Sequence, residues 1–350
     1  MGFKKYGGAK MEKRILVSGA GGSAGNNFIK SLRMAEEKIY IVGIDCSKYY
    51  AKLSKADKTY ISLKYDDPDY IPFLNGLIAA ESIEFLHAQP DTEVRVISDN
   101  RELIWAKTFL PSKKAIAIAQ DKFTFNRQMA FLKIPVPKTW TIKNIPFAWE
   151  VKKLWLRANR GAGSLAALPV SNPGQINMWI DYWSGRGLTR DDFMLSEFLP
   201  GKEYAFQSIW KDGKLITSAA RQRIEYLFQN RMPSGQSSTP TIAKSVHNDK
   251  VNQIATSAIL ALDLNATGIF CVDMKENEQG IPCITEINVG RFFTTCNFFA
   301  EAGSNMPYYY IKLAYEEDLP DLPKYNAVPK DLFFIRQMDC SSVIVKENEL

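Results

Sequence analysis

Asp273, Glu286 and Asn288, with Arg291 just beyond them, are the side chains whose types and spacing best suit chemistry. They lie in GIFCVDMKENEQGIPCITEINVGR, which reads as two strands joined by the polar turn Glu276-Asn277-Glu278-Gln279-Gly280. Residues two apart on a strand share a face, so Glu286 and Asn288 point the same way. Folding about the turn puts Asp273 opposite the residues just before or at Glu286. Three oxygen donors on one face suit a hard divalent cation, Mg²⁺ above all with Mn²⁺ as an alternative, which shares such ligands with phosphates. A charged surface hairpin would carry the same residues, so the weight falls on the rest of the chain.

A second set of residues offers a phosphate grip. Lys122 starts a helical stretch, and Arg157 ends a strand just before the loop Gly161-Ala162-Gly163-Ser164. Two fixed cations and a loop with free backbone amides suit a triphosphate, because charge-assisted contacts are strong. Glu197-Phe198-Leu199 leads into Pro200-Gly201-Lys202-Glu203, an extended connector that could present backbone groups to a purine edge, with Glu203 accepting from ribose hydroxyls. Arg221 and Arg223 alternate on one strand, and either could receive a substrate carboxylate. His87, with Gln89, Asp91 and Glu93, follows a strand end, where open α/β sheets bind ligands. Only two histidines occur, His87 and His247, and no Ser-His-Asp or Cys-His grouping can be defended.

The elements that must hold these groups begin with Arg14 to Ser18 as a buried strand. The turn Gly19-x-x-Gly22-x-x-Gly25, a helix through Leu32 and a strand Ile39 to Asp45 complete a βαβ unit. Helices over 71–80 and 101–109, a strand over 83–88 and a closing strand Ala115 to Ala119 extend the α/β pattern. A helix over 121–132 stops at Ile134-Pro135-Val136-Pro137. Short strands then alternate with turns, Lys211-Asp212-Gly213-Lys214 reads as a hairpin turn, and 251–262 carries helix periodicity. The glycine turn with Asp45 downstream also meets the looser dinucleotide fingerprint, so an NAD(P)-dependent epimerase or reductase is a rival reading. Its usual Tyr-x-x-x-Lys partner is found only at misplaced positions.

At 350 residues, with 46% hydrophobic and 23% charged content, the chain has the composition of a globular protein of two domains or one with a lid. No apolar run suits a membrane span, and the lysine-rich lead-in over 1–10 reads as a solvated tail. A net charge of +6 is mild and no basic, aromatic-interleaved surface suggests nucleic acid. Five scattered cysteines argue for a reducing cytoplasm and against a disulfide framework or zinc site.

Asp121-Lys122, Ile134-Pro135-Val136-Pro137, Arg157 with its loop, Ser196-Glu197-Phe198-Leu199-Pro200-Gly201-Lys202-Glu203, Asp273 and Glu286-Ile287-Asn288 fall in an order that resembles the ATP-grasp superfamily. The carbamoyl-phosphate-synthase-like carboxylate–amine ligase branch is the most similar, and Ala302 to Tyr308 resembles its helix start. The resemblance implies α/β and α+β architecture: a Rossmann-like pre-ATP-grasp domain over 11–118, then a two-lobed ATP-grasp fold over 119–350. A small lid lobe would span about 119–195, and a large lobe about 196–350. It implies that Lys122 and Arg157 contact ATP phosphates beneath the loop Gly161, Ala162, Gly163 and Ser164. Glu197, Phe198 and Leu199 would frame the adenine and Glu203 the ribose. Asp273, Glu286 and Asn288 would ligate Mg²⁺, while Arg291 and Arg157 would stabilise the transferring phosphoryl. Arg291 stands one residue further from the metal acid than the family pattern has it. Implied partners are a small-molecule carboxylate and an amine, with a homodimer as the default assembly. A non-catalytic nucleotide-binding subunit is the remaining alternative.

Overall fold

The computed structural model describes residues 12–144, 153–160, 166–237, 239–338 and 343–349. Its first sheet is parallel, in the order β3-β2-β1-β4, from β1 (Lys13–Ser18), β2 (Ile39–Asp45), β3 (Lys58–Ile61) and β4 (Phe85–His87). Helices α1 (Ser23–Arg33), α2 (Tyr70–Ala80) and α3 (Asp91–Asp99) connect these strands or follow them. Gly19 makes the tight exit from β1 at φ +60°, and a Cβ there would sit 2.6 Å from Pro90 Cγ. A side chain is excluded both by backbone and by space.

Two expectations fail in this region. Ala115 to Ala119 is no strand but part of helix α4 (Lys113–Ala119), whose N-cap Ser112 accepts from the Ala115 amide at 3.2 Å. Short apolar runs read equally well as either element, and the cap decides. The 101–109 stretch is not a helix beyond one 3₁₀ turn, Arg101–Leu103. Lys107 instead bonds to the backbone of Glu84 and Leu86, lengthening the sheet edge. The helix lies earlier, in α3, starting after Pro90.

A second sheet has seven antiparallel strands in the order β13-β12-β9-β10-β11-β14-β15. These are β9 (Glu203–Lys211), β10 (Lys214–Tyr226), β11 (Pro240–Val246), β12 (Gly268–Glu276), β13 (Pro282–Val289), β14 (Leu332–Ile335) and β15 (Val343–Lys346). Asp212 (φ +50°) and Gly213 (φ +75°) form the two-residue turn between β9 and β10. Positive φ at both positions matches strand twist, which is why Asp-Gly signals a hairpin. The third sheet, β5-β8-β6-β7, consists of β5 (Thr139–Thr141), β6 (Leu154–Ala158), β7 (Leu168–Val170) and β8 (Phe193–Glu197). It packs Leu154, Leu156 and Leu195 against Ile176 and Ile180 of the helix Pro173–Ser184, forming a separate small core. The other two cores each draw residues from both larger sheets, so those layers pack as one body. The first joins Leu16 and Val42 to Phe270 and Ile284. The second joins Ile15 and Phe28 to Phe292 and Tyr310. The strands β3 and β11 and the helix Pro173–Ser184 have no counterpart in the sequence reading.

Candidate functional site

Asp273 and Glu286 are direct cross-strand partners on β12 and β13. Asn288, two residues on, donates from Nδ2 to Asp273 Oδ2 at 3.2 Å. The same row continues inward: Asp273 pairs with Ala205 on β9, and Ala205 with Arg221 on β10. Paired residues share a face, so Glu286, Asp273 and Arg221 stand in one line with only a methyl group between the acids and the arginine. The next row on that face is Lys275, Glu203 and Arg223.

Helix α5 (Lys122–Phe131) brings a cation to this row from outside the sheet. Its N-cap Asp121 accepts from Thr124 N at 2.9 Å, and the Lys122 amide bonds to Asn159 O at 3.2 Å, just past the end of β6. Lys122 Nζ therefore reaches 3.6 Å from Glu286 Oε2. Arg157, on β6, donates from Nη2 to Thr285 O at 3.0 Å, while its buried Nε has no hydrogen-bond partner among the described residues. All three sheets thus face one cavity of about 1170 Å³. Glu197, Phe198 and Leu199 line it beside Trp155, and Lys153 Nζ sits 4.1 Å over the Phe198 ring. That gives the connector an aromatic platform.

Electrostatics separate the two acids. Burial, with Glu286 and Glu203 nearby, pushes Asp273 up to about 7 despite Arg223. Burial would raise Glu286 as well, yet Lys122, Arg157 and Arg291 hold it below the usual carboxylate range. Two facing carboxylates, one reluctant to ionise, form a donor pair that a hard divalent cation would satisfy. Among the described residues no three His, Cys, Asp or Glu side chains cluster to hold a metal. Any third ligand to such a cation would be the Asn288 amide oxygen or come from a bound phosphate.

The structure redirects several expected residues. His87 is fully buried, stacked 3.9 Å from the Phe28 ring, and its Nε2 lies 2.9 Å from Gln89 Oε1. Burial pushes it down to about 4. His87 is thus a neutral core residue, not a substrate contact, because β4 ends inside the aromatic core. Glu93 is likewise buried and does not line the cavity; burial raises its carboxyl. Asp91 does line it, but its carboxylate clamps Arg291 through both oxygens. Arg291 also donates to Asn288 Oδ1 at 2.5 Å, so it points along the cavity wall and not freely at a phosphoryl. Glu203 is bound by Arg223 at 3.0 Å, by the Tyr226 hydroxyl and by Gln236 at 2.9 Å, which occupies the proposed ribose acceptor. Arg223 also pairs with Asp273 at 2.5 Å. Gly161, Ala162, Gly163 and Ser164 lie outside the described residues.

Lys275, Thr294 and Thr295 line the cavity and were missed. Lys275 was detectable, two residues past Asp273 on the same strand face; the threonines, on a loop, left no signal. At the glycine turn, Asp45 accepts from Gly21 N at 3.2 Å and Ser47 N at 2.9 Å. That carboxylate is thus engaged by the local backbone.

Residues 189–331 match the family described as "ATP-grasp in the biosynthetic pathway with Ter operon". No curated protein sequence matches the chain. Among solved structures, the chain is similar to carboxyaminoimidazole ribonucleotide synthase from Aspergillus clavatus complexed with ATP (TM-score 0.68, 14% identity, covering 93% of this chain and 81% of that one). It is similar also to the biotin carboxylase domain of Hydrogenobacter thermophilus 2-oxoglutarate carboxylase in complex with MgADP (TM-score 0.70, 15% identity, 93% and 74%). L-amino acid ligase from Bacillus licheniformis matches too (TM-score 0.68, 9% identity, 93% and 79%). With the three sheets arranged as described, the chain has the ATP-grasp fold, and its residues 189–331 carry the sequence pattern of an ATP-grasp family.

Proposed function

We propose that this protein is an ATP- and Mg²⁺-dependent ligase that activates a substrate carboxylate as an acyl-phosphate and couples it to an amine, releasing ADP and phosphate. The observation that carries the reading is the convergence of Asp273, Glu286 and Asn288 with Lys122 and Arg157 on one cavity. Its support from outside is the likeness in fold to proteins solved with ATP or MgADP. Lys122 and Arg157 would hold the phosphates, the 197–199 connector the adenine, and the two acids with Asn288 the metal. Bound there, Mg²⁺ would neutralise charge developing on the transferring phosphoryl group. No enzyme nucleophile is needed, since the substrate carboxylate attacks. Catalysis would come from positioning and electrostatics.

Arg291 would have to exchange Asn288 for the phosphoryl while Asp91 keeps it aimed. The assignment of domains follows the same reading: residues over 11–118 would help form the substrate side of the cavity, and 119–350 would hold the nucleotide. ADP release measured across a panel of carboxylates and amines, with mass spectrometry of the product, tests the reaction. A carboxylate-dependent ADP signal with a condensed product is expected. Nucleotide binding without such turnover across the panel would point to a non-catalytic subunit.

A further inference from the structure

Arg221 is 1% exposed and lines the cavity, yet among the described residues no carboxylate stands at ion-pair distance from it. Its neighbours differ. Arg223 is held by Glu203 and Asp273, and Arg291 by Asp91. Among the described residues Arg221 makes one hydrogen bond, from Nη1 to Thr295 O at 3.2 Å, and its buried Nε has no partner. The ring centroids of Phe293 and Phe299 lie 5.3 and 5.7 Å from the guanidinium carbon, contacts that do not neutralise it. A buried cation with no carboxylate in direct contact, attracted only through space by Asp273, is costly unless a ligand supplies a closer counter-charge.

A second, separate feature faces the same place. Gly22, Ser23 and Ala24, at the start of the eleven-residue α1, line the cavity. That helix has no side-chain cap and no acid in its first turn, so its leading amides are open to an anion. The segment Thr294–Thr295 ties the two features together: Asn27 of α1 donates to Thr294 O at 2.7 Å, and Arg221 to Thr295 O. Along the sheet, Arg221 is two strands from Asp273 in the same row, roughly 10 Å at ordinary strand spacing.

We infer that Arg221 and the first-turn amides of α1 form a seat for an anionic group of the substrate, a carboxylate or a phosphate, distinct from the seat of the nucleotide phosphates. Calling the occupant a substrate rests on the ATP reading above; the anion seat itself does not. Its place in the acid row makes Arg221 a positioning residue for the group that faces the transferring phosphoryl. The fork of a guanidinium matches two oxygens at once, so it would orient a carboxylate as well as bind it.

The test is a titration of the full chain, saturated with MgADP, with sodium acetate and separately with methyl phosphate, at constant ionic strength in chloride. Thermal shift reads binding, in wild type, Arg221→Gln and Arg221→Lys. A saturable shift is expected with at least one anion, and the probe that binds identifies the carboxylate or phosphate class. Its apparent Kd should weaken at least tenfold in Arg221→Gln, with partial recovery in Arg221→Lys and MgADP affinity unchanged. Should Arg221→Gln fail to fold, the lysine variant and the wild-type titration still decide. No saturable anion binding by wild type, or the same Kd in every variant, overturns the seat. Failure of MgADP to bind while the anions still do would instead count against the nucleotide reading alone.

Discussion

Asp273 and Glu286 face each other across one strand pair, but their surroundings give them opposite tendencies. Glu286 is ringed by Lys122, Arg157 and Arg291, whereas Asp273 is buried beside two other carboxylates. Glu286→Gln removes the charge that balances Lys122 and Arg157, and it should cut ATP turnover by about a hundredfold or more, as losing a transition-state electrostatic contact does. Steady-state ADP release measures this; near wild-type turnover would remove Glu286 from the metal set. This pairing was legible in the sequence because strand alternation and the polar turn together fix it. His87 was not legible, since nothing in its neighbours tells how deep a strand end lies. Its burial carries a prediction of its own. An unfolded histidine titrates near 6.5 and this one is pushed down to about 4, so between those values the unfolded chain binds the extra proton. Stability contributed at this site should fall as pH is lowered through that window, by up to about 3 kcal/mol. Asp273, pushed up to about 7, acts with the opposite sign over much of the same range, so the difference between wild type and His87→Leu is the quantity to follow. Denaturant unfolding at pH 7 and pH 4.5 provides it, and an unchanged difference would show that His87 is protonated in the folded state.

The elements that hold the site announce themselves unequally. The β9–β10 and β12–β13 hairpins were readable from an Asp-Gly and a polar turn, and the end of α5 from the prolines that follow it. Helix α4 and the stretch around Lys107 were not, because a run such as Ala115 to Ala119 fits either period and only the capping bond at Ser112 settles it. The turn at Gly213 admits a direct check. A Cβ there would lie 2.4 Å from Leu264 O, at a φ that side chains avoid. Gly213→Val should therefore destabilise the protein by about 2 kcal/mol or more. Denaturant midpoints measure it; a loss under about 0.5 kcal/mol would mean that the β9–β10 hairpin does not depend on this turn.

On the scale of the molecule, the parallel sheet and the seven-stranded sheet share two cores, and polar contacts stitch them together at the cavity. Gln89 Nε2 donates to Phe292 O at 2.8 Å, and the Asp91–Arg291 pair crosses the same boundary. Such long-range pairing is invisible in sequence, where these partners are two hundred residues apart. Asp91→Asn should cost about 1–2 kcal/mol, less than a fully buried pair because Asp91 is 31% exposed. It should also release Arg291 from its present direction, raising KM for substrate more than that for ATP. An equal effect on both constants would contradict a role on the substrate side.

The central claim is that the acids on β12 and β13 bind magnesium beneath a nucleotide. Calorimetric titration of the full chain with ADP, with and without Mg²⁺, and with NADPH, tests it most directly. ADP should bind at least tenfold more tightly with Mg²⁺ in wild type, the gain should vanish in Glu286→Gln, and NADPH should give no heat of binding. Magnesium-independent ADP affinity in wild type, or saturable binding of NADPH alone, would contradict the account.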